Sequence, residues 1–163
     1  MSAPNTRTTR IDLASPAREA MVTLLNRQLA DTLDLYAQTK QAHWNVVGAH
    51  FHQLHELFDE LAETLLGQVD LLAERATALG GAAQGTVRMA AATSRLPEFP
   101  AGFQDGLTCV QLLTERYAAL AASTRAAIEA ATQAGDAGTA DLFTEVGRAL
   151  DKALWFLEAH LPK

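Results

Sequence analysis

The chain has 163 residues, the length of one ordinary domain. With 48% hydrophobic and 20% charged residues it carries enough apolar side chains for a sizeable core, and its single Cys excludes an internal disulfide and any CxxC zinc or redox motif. The net charge of −6 lacks the basic excess usual in a dedicated nucleic-acid module.

Residues 1–14 read as a flexible, polar N-terminal tail, and the stretch Met1 to Leu13 has no apolar run of a signal peptide. A first helix opens at Ser15-Pro16, read as an N-cap followed by Pro at the first helical position. Its stripe runs through Met21, Leu25, Leu29, Leu33 and Tyr36 and stops near Gly48. A second helix is predicted over roughly 49–79, with Leu54, Phe58, Leu61, Leu65, Val69, Leu72 and Leu79 on one face and Gly80-Gly81 as its stop.

The connection over 80–102 holds Gly80, Gly81, Gly85, Pro97, Pro100 and Gly102. It is too long for a simple turn and suits a crossover along the bundle, with a short helix at Thr86–Ala92. A third long helix follows from about Phe103 to Thr132, through Leu107, Val110, Leu113, Tyr117, Leu120 and Ile128. The fourth, after Gly135 and Gly138, carries Leu142, Val146, Leu150, Leu154, Leu157 and Leu161. Two antiparallel hairpins joined by one long crossover predict an all-α, ferritin-like four-helix bundle over 15–163, with a short extra helix in the crossover. No apolar run is long enough to cross a membrane, so the cytoplasm is the expected location.

Polar residues interrupt the apolar pattern of the second helix. His55 and Asp59 are i, i+4, as are Asp70 and Glu74, and each pair can share a ligand. At about 100° per residue the four fall in a strip about one quadrant wide. His43 lies on the inward stripe of the first helix with Val22, Leu29 and Tyr36 and can face the same side. Yet Asp59 and Asp70 are separated by about 16 Å along the axis, too far for one chain to gather both pairs around one ion. Both His55 with Glu74 and Asp59 with Asp70 are centred between Thr64 and Leu65. Two second helices crossing antiparallel there would bring His55 and Asp59 of one chain to Asp70 and Glu74 of the other, giving an isologous dimer with two identical sites.

Two imidazoles and three carboxylates suit iron, manganese or zinc better than calcium or copper(I). Donor types alone leave redox iron and zinc both open, and acidic residues on a long helix also serve as a solvated face. His50 and His52, at the loop and the start of the second helix, lie outside the symmetric set, with His52 as an accessory ligand at most. Cys109 reads as a small buried apolar residue.

The segments Lys40-Gln41-Ala42-His43-Trp44-Asn45, Leu54-His55-Glu56-Leu57-Phe58-Asp59 and Asp70-Leu71-Leu72-Ala73-Glu74-Arg75 resemble the Dps family, the DNA-binding proteins from starved cells. The match continues through Leu79-Gly80-Gly81, Thr139-Ala140-Asp141 and Leu154 to His160. The resemblance implies a hollow homododecamer with ferroxidase centres at its two-fold interfaces. The ligand positions match His43, His55 and Asp59 of one subunit with Asp70 and Glu74 of its neighbour. Trp44 matches a tryptophan beside the centre, where the implied role is interception of oxidising radicals. Asp136, Asp141 and Glu145 match the acidic lining of three-fold pores through which iron enters.

The implied reaction is oxidation of Fe(II) by hydrogen peroxide, or more slowly by dioxygen, with storage of the ferric mineral. Zinc is a possible competitor. The alternative is a DNA-compacting nucleoid protein whose metal site is secondary. DNA binding has little support in the termini, since the tail offers only Arg7 and Arg10 beside Asp12, and the C-terminus only Lys163.

Overall fold

The computed structural model describes residues 6–162. Five helices follow in order: α1 (Ser15–Asn45), α2 (Phe51–Ala78), α3 (Val87–Thr93), α4 (Gly106–Gln133) and α5 (Ala137–Glu158). The all-α expectation holds, with α1/α2 and α4/α5 as tightly packed hairpins and α3 inside the crossover. Among the described residues no helix is long and apolar enough to cross a membrane.

The termini of these helices show local chemistry at work. Gly80 takes φ +91° and Gly135 φ +74°, a region that side chains disfavour. At the first, Gly81 N–H bonds the Ala76 carbonyl and Gly80 N–H that of Thr77; at the second, Asp136 N–H bonds Ala131 and Gly135 N–H bonds Thr132. Both are Schellman ends, which satisfy the last carbonyls of α2 and α4 and turn the chain. Asp105 caps α4 by accepting from Leu107 and Thr108 N–H, and Thr86 caps α3 by accepting from Met89 N–H.

The start of α1 differs from the sequence expectation. The cap position is Ala14, without a side-chain bond, and Ser15 lies inside the helix donating to Glu19. A side chain already in helical backbone cannot perform the cap, and Pro in the first turn suffices to set the entry. Leu107, expected on the apolar stripe of α4, is exposed because it sits in the first turn, ahead of the packed face.

Of the predicted flexible tail, residues 1–5 lie outside the described residues, as does Lys163. Residues 6–14 are held against the bundle. Arg7 N–H donates to the Gly80 carbonyl (2.8 Å) and its guanidinium to Thr77 O (3.1 Å). Arg18 donates to Leu13 O at 2.9 Å, while Ile11 and Leu13 pack on the core at one end.

The crossover lies along α1 and α4, fastened by polar bonds. Arg95 grips the buried Asp31 through its guanidinium and backbone N–H, and Ser94 donates to Asp34. The buried Arg116 of α4 donates to Gln38, to the carbonyls of Pro97 and Glu98, and to Leu112 O. Where α1 ends, Val46–Val47 (β1) pairs in parallel with Gln104–Asp105 (β2), a two-residue bridge that the helical periodicity did not announce. It ties the C-terminal end of α1 to the N-terminal end of α4, which run antiparallel.

The interior consists of two apolar clusters stacked along the bundle. One holds Leu35, Leu54, Phe58, Leu65, Leu113, Tyr117, Leu120 and Leu150, and the other Met21, Leu25, Leu29, Leu72, Ala127 and Phe143.

Candidate metal centre

His43 stands in the last turn of α1, and His55 one turn into α2, so the hairpin faces them across the helix pair. Their rings stack with centroids 3.7 Å apart and planes 20° from parallel. Each is held by the backbone of the other: His43 Nδ1 bonds the His55 carbonyl at 2.7 Å, and His55 Nδ1 bonds the His43 carbonyl at 2.9 Å. A carbonyl only accepts, so both Nδ1 atoms carry the proton, and in the neutral rings the Nε2 lone pairs are the ones left free. That is the arrangement of ligating histidines, whose second nitrogen is fixed by a neighbouring acceptor.

Asp59 joins them one turn further along α2. His43 Nε2 lies 3.9 Å from Asp59 Oδ1. The same carboxylate oxygen accepts from Lys40 Nζ at 2.5 Å. That hydrogen bond is the largest cause that holds Asp59 below the usual carboxylate range, and the ammonium charge of Lys40 adds to it. Lys40 was not singled out from sequence; its position one turn before His43 was the available signal. Its ammonium also lies 5.7 Å from the centroid of the Trp44 ring. Trp44 itself is 64% exposed next to His43, so packing into the core does not explain it.

Asp70 and Glu74 lie further along α2, both exposed. The structure of one chain therefore brings together His43, His55 and Asp59 and leaves Asp70 and Glu74 apart from them. Among the described residues no group of three or more His, Cys, Asp or Glu closes around an ion within the chain. His43 of α1 with His55 and Asp59 of α2 form one group, and Asp70 and Glu74 of α2 another.

The other singled-out residues divide. His52 makes an exposed i, i+4 pair with Glu56 (3.4 Å) and stands clear of the histidine stack, as does the exposed His50. Cys109 is buried, and burial pushes its thiol up to about 11, as befits an inert packed residue. Asp141 and Glu145 are exposed one turn apart on α5.

Asp136 is different from its expected place on an acidic pore lining. It is buried at the N-cap of α5, accepting from Thr139 N–H (3.0 Å) and the Thr139 hydroxyl, and it pairs with Arg75 Nη2 at 2.6 Å. Burial pushes its carboxyl up, but the bonds from Thr139 and Arg75 outweigh burial and hold it below the usual range. A carboxylate so committed has no charge left to offer a passing cation. Arg75, also unforeseen, thereby ties the end of α2 to the start of α5.

Comparison with known proteins agrees with this architecture. Residues 22–163 match the ferritin-like domain. The DNA protection during starvation protein of Agrobacterium fabrum is 42% identical over 156 residues, 96% of this chain and 96% of that one. DpsC from Streptomyces coelicolor superposes with a TM-score of 0.94 at 32% identity, over 100% of this chain and 95% of the other. The Dps protein of Vibrio cholerae, described as a member of a broad superfamily of ferritin-like diiron-carboxylate proteins, superposes with a TM-score of 0.89 at 28% identity, over 99% and 100% of the two chains.

Proposed function

The chain belongs to the Dps family of ferritin-like proteins, and on that premise we propose that it oxidises Fe(II) at sites shared between two subunits and stores the ferric product, protecting DNA. The observation that carries this reading is the reciprocal bonding of His43 and His55, which leaves two Nε2 lone pairs beside the Asp59 carboxylate. A surface-filling pair of histidines has no need of a fixed tautomer; a pair that must receive a cation does.

In this reading iron is the substrate. The imidazoles fix its position, and Asp59, with Asp70 and Glu74 of a neighbouring copy, neutralises its charge as it rises from Fe(II) to Fe(III). Two Fe(II) ions each give one electron, and one hydrogen peroxide accepts both and, with two protons, leaves as two waters. Dioxygen is the slower oxidant and zinc the competing ion. Trp44, solvent-accessible and adjacent to His43, is placed to lose an electron to a stray oxidising radical before DNA does.

The neighbour is a second copy of this chain. Support comes from the shared centre of the two pairs on α2 and from the exposure of Leu66 and Leu71 on that helix, where apolar side chains would gain from cover. Assembly into a homododecamer, with Asp141 and Glu145 guiding cations inward, follows the family pattern. Asp136 is left out of that lining on the grounds given above.

The test is anaerobic Fe(II) loading of the purified protein followed by stoichiometric peroxide, with ferric absorbance and peroxide loss read together. Coupled, rapid consumption with a soluble ferric product is expected. Replacing both His43 and His55 by Gly is expected to slow oxidation at least about tenfold while the assembled species persists. Wild-type kinetics in that variant would refute the site.

A DNA-compacting role is the second reading, and the Agrobacterium fabrum relative is named for DNA protection during starvation. It predicts nuclease protection that disappears when residues 1–14 are deleted and survives loss of the histidines.

A further inference from the structure

The two apolar clusters are separated by a polar level to which three of the long helices each contribute a residue. On α1 the break between Leu29 and Leu35 falls at Thr32; on α2, between Leu65 and Leu72, at Gln68; on α4, between Ala121 and Ala127, at Thr124. On α5 the clusters meet between Phe143 and Val146, and the buried Gly147 just beyond faces Thr124: a Cβ placed on it would lie 3.7 Å from Thr124 Cγ2.

Thr32 is satisfied, its hydroxyl donating to the Gln28 carbonyl at 2.7 Å. Gln68 Oε1 and Thr124 Oγ1 are not: among the described residues they are the buried side-chain oxygens or nitrogens without a hydrogen-bond partner. Thr124 also departs from the habit of its helix. Thr114 and Thr132 each donate to the carbonyl one turn back, whereas the Leu120 carbonyl that Thr124 would use is taken by Ser123. Its hydroxyl makes no bond to its own backbone. Space is available beside it, because a Cβ on Gly147 would meet that single atom within 4 Å despite full burial.

Buried polar atoms in native folds find partners, in protein or in ordered water. We propose that this layer binds one internal water molecule, which donates to Gln68 Oε1, bonds the Thr124 hydroxyl and lies over Gly147, with Thr32 Oγ1 offering a further acceptor at the same level. Two to four polar partners are what such a water requires. The donor set is neutral, and the buried Asp31 near it is already spent on Arg95, so the layer suits water and has no charge to hold a cation.

Crystals of the assembled natural protein diffracting to better than about 2 Å are expected to show one peak within about 2.6–3.3 Å of both Gln68 Oε1 and Thr124 Oγ1. Gly147→Ala separates a wet layer from a dry one by sign. In a dry void the added methyl fills space and relieves the cost of a helical glycine, so Tm rises. Where it evicts a water, the peak vanishes, two buried atoms lose their partner and Tm falls by a few degrees. In a Gln68→Leu/Thr124→Val background the same Gly147→Ala change is expected to raise Tm. An empty layer, a direct Gln68–Thr124 bond in the density, or a higher Tm for Gly147→Ala in the natural background would each overturn the proposal. The density and the single variant decide the matter even if the apolar background does not fold.

Discussion

At the scale of single residues, the decisive chemistry lies in which polar groups are already spoken for. The imidazoles of His43 and His55 spend one nitrogen each on backbone and keep one, whereas Asp136 spends its whole carboxylate on Thr139 and Arg75. The family resemblance ranks Asp136 with Asp141 and Glu145; it could not show that one of them caps α5 and is buried. Asp136→Ala is therefore expected to act on stability rather than on iron entry, costing about 2 kcal/mol through the lost cap and the stranded Arg75. Since folding lowers this carboxyl from its ordinary value of 3.8, the folded state favours the ionised form. Its contribution is then full above that pH and fades as the pH drops through the lower folded value. Denaturation of both proteins at one concentration should show a constant gap from about pH 5 to 8 that closes below about pH 4. A gap undiminished in acid would place the loss elsewhere.

At the scale of the element, apolar periodicity was legible because each long helix buries one face. Leu25, Leu29, Leu54, Phe58, Leu65, Leu113, Tyr117 and Leu150 stand in the core where the 3.6-residue repeat puts them. The β1–β2 bridge was not legible, since two residues of extended chain carry no period, and Lys40 was hidden because a lysine next to a charged site looks like any surface lysine. The ends of elements fall between these cases. Gly80-Gly81 marked the stop of α2, but the sequence did not reveal that the second glycine is required by a neighbour. A Cβ on Gly81 would come within 2.2 Å of Val22 Cγ1 on α1. Gly81→Ala must therefore displace α1 or the start of the crossover, at an expected cost of about 1–3 kcal/mol. Val22→Ala should recover part of that loss, so the two changes are expected to be non-additive in a double-mutant cycle. A neutral Gly81→Ala would show that the approach of α1 to this turn is not a constraint.

At the scale of the whole molecule, a single chain holds its acidic and imidazole donors in two groups that its own fold cannot unite. Those groups share a centre between Thr64 and Leu65, a feature of the residue numbers alone, and in the proposed dimer the two-fold axis would pass through α2 there. What the numbers could not supply is the surface beside that centre. Leu66 is 48% exposed, and a Cβ on Gly67 would meet nothing within 4 Å, so the middle of α2 offers an apolar, uncrowded face to a second helix. A charge introduced there tests assembly without touching a donor. Leu66→Arg places two like charges face to face across the axis in a dimer and should disfavour it strongly. The expected result is a smaller species by light scattering, unchanged helical circular dichroism, and peroxide-driven Fe(II) oxidation reduced on the order of tenfold or more, because His43, His55 and Asp59 would be left without their partners. Full activity in a variant confirmed to be monomeric would mean that one chain suffices for the chemistry. An intact assembly with normal activity would move the two-fold contact away from the centre of α2.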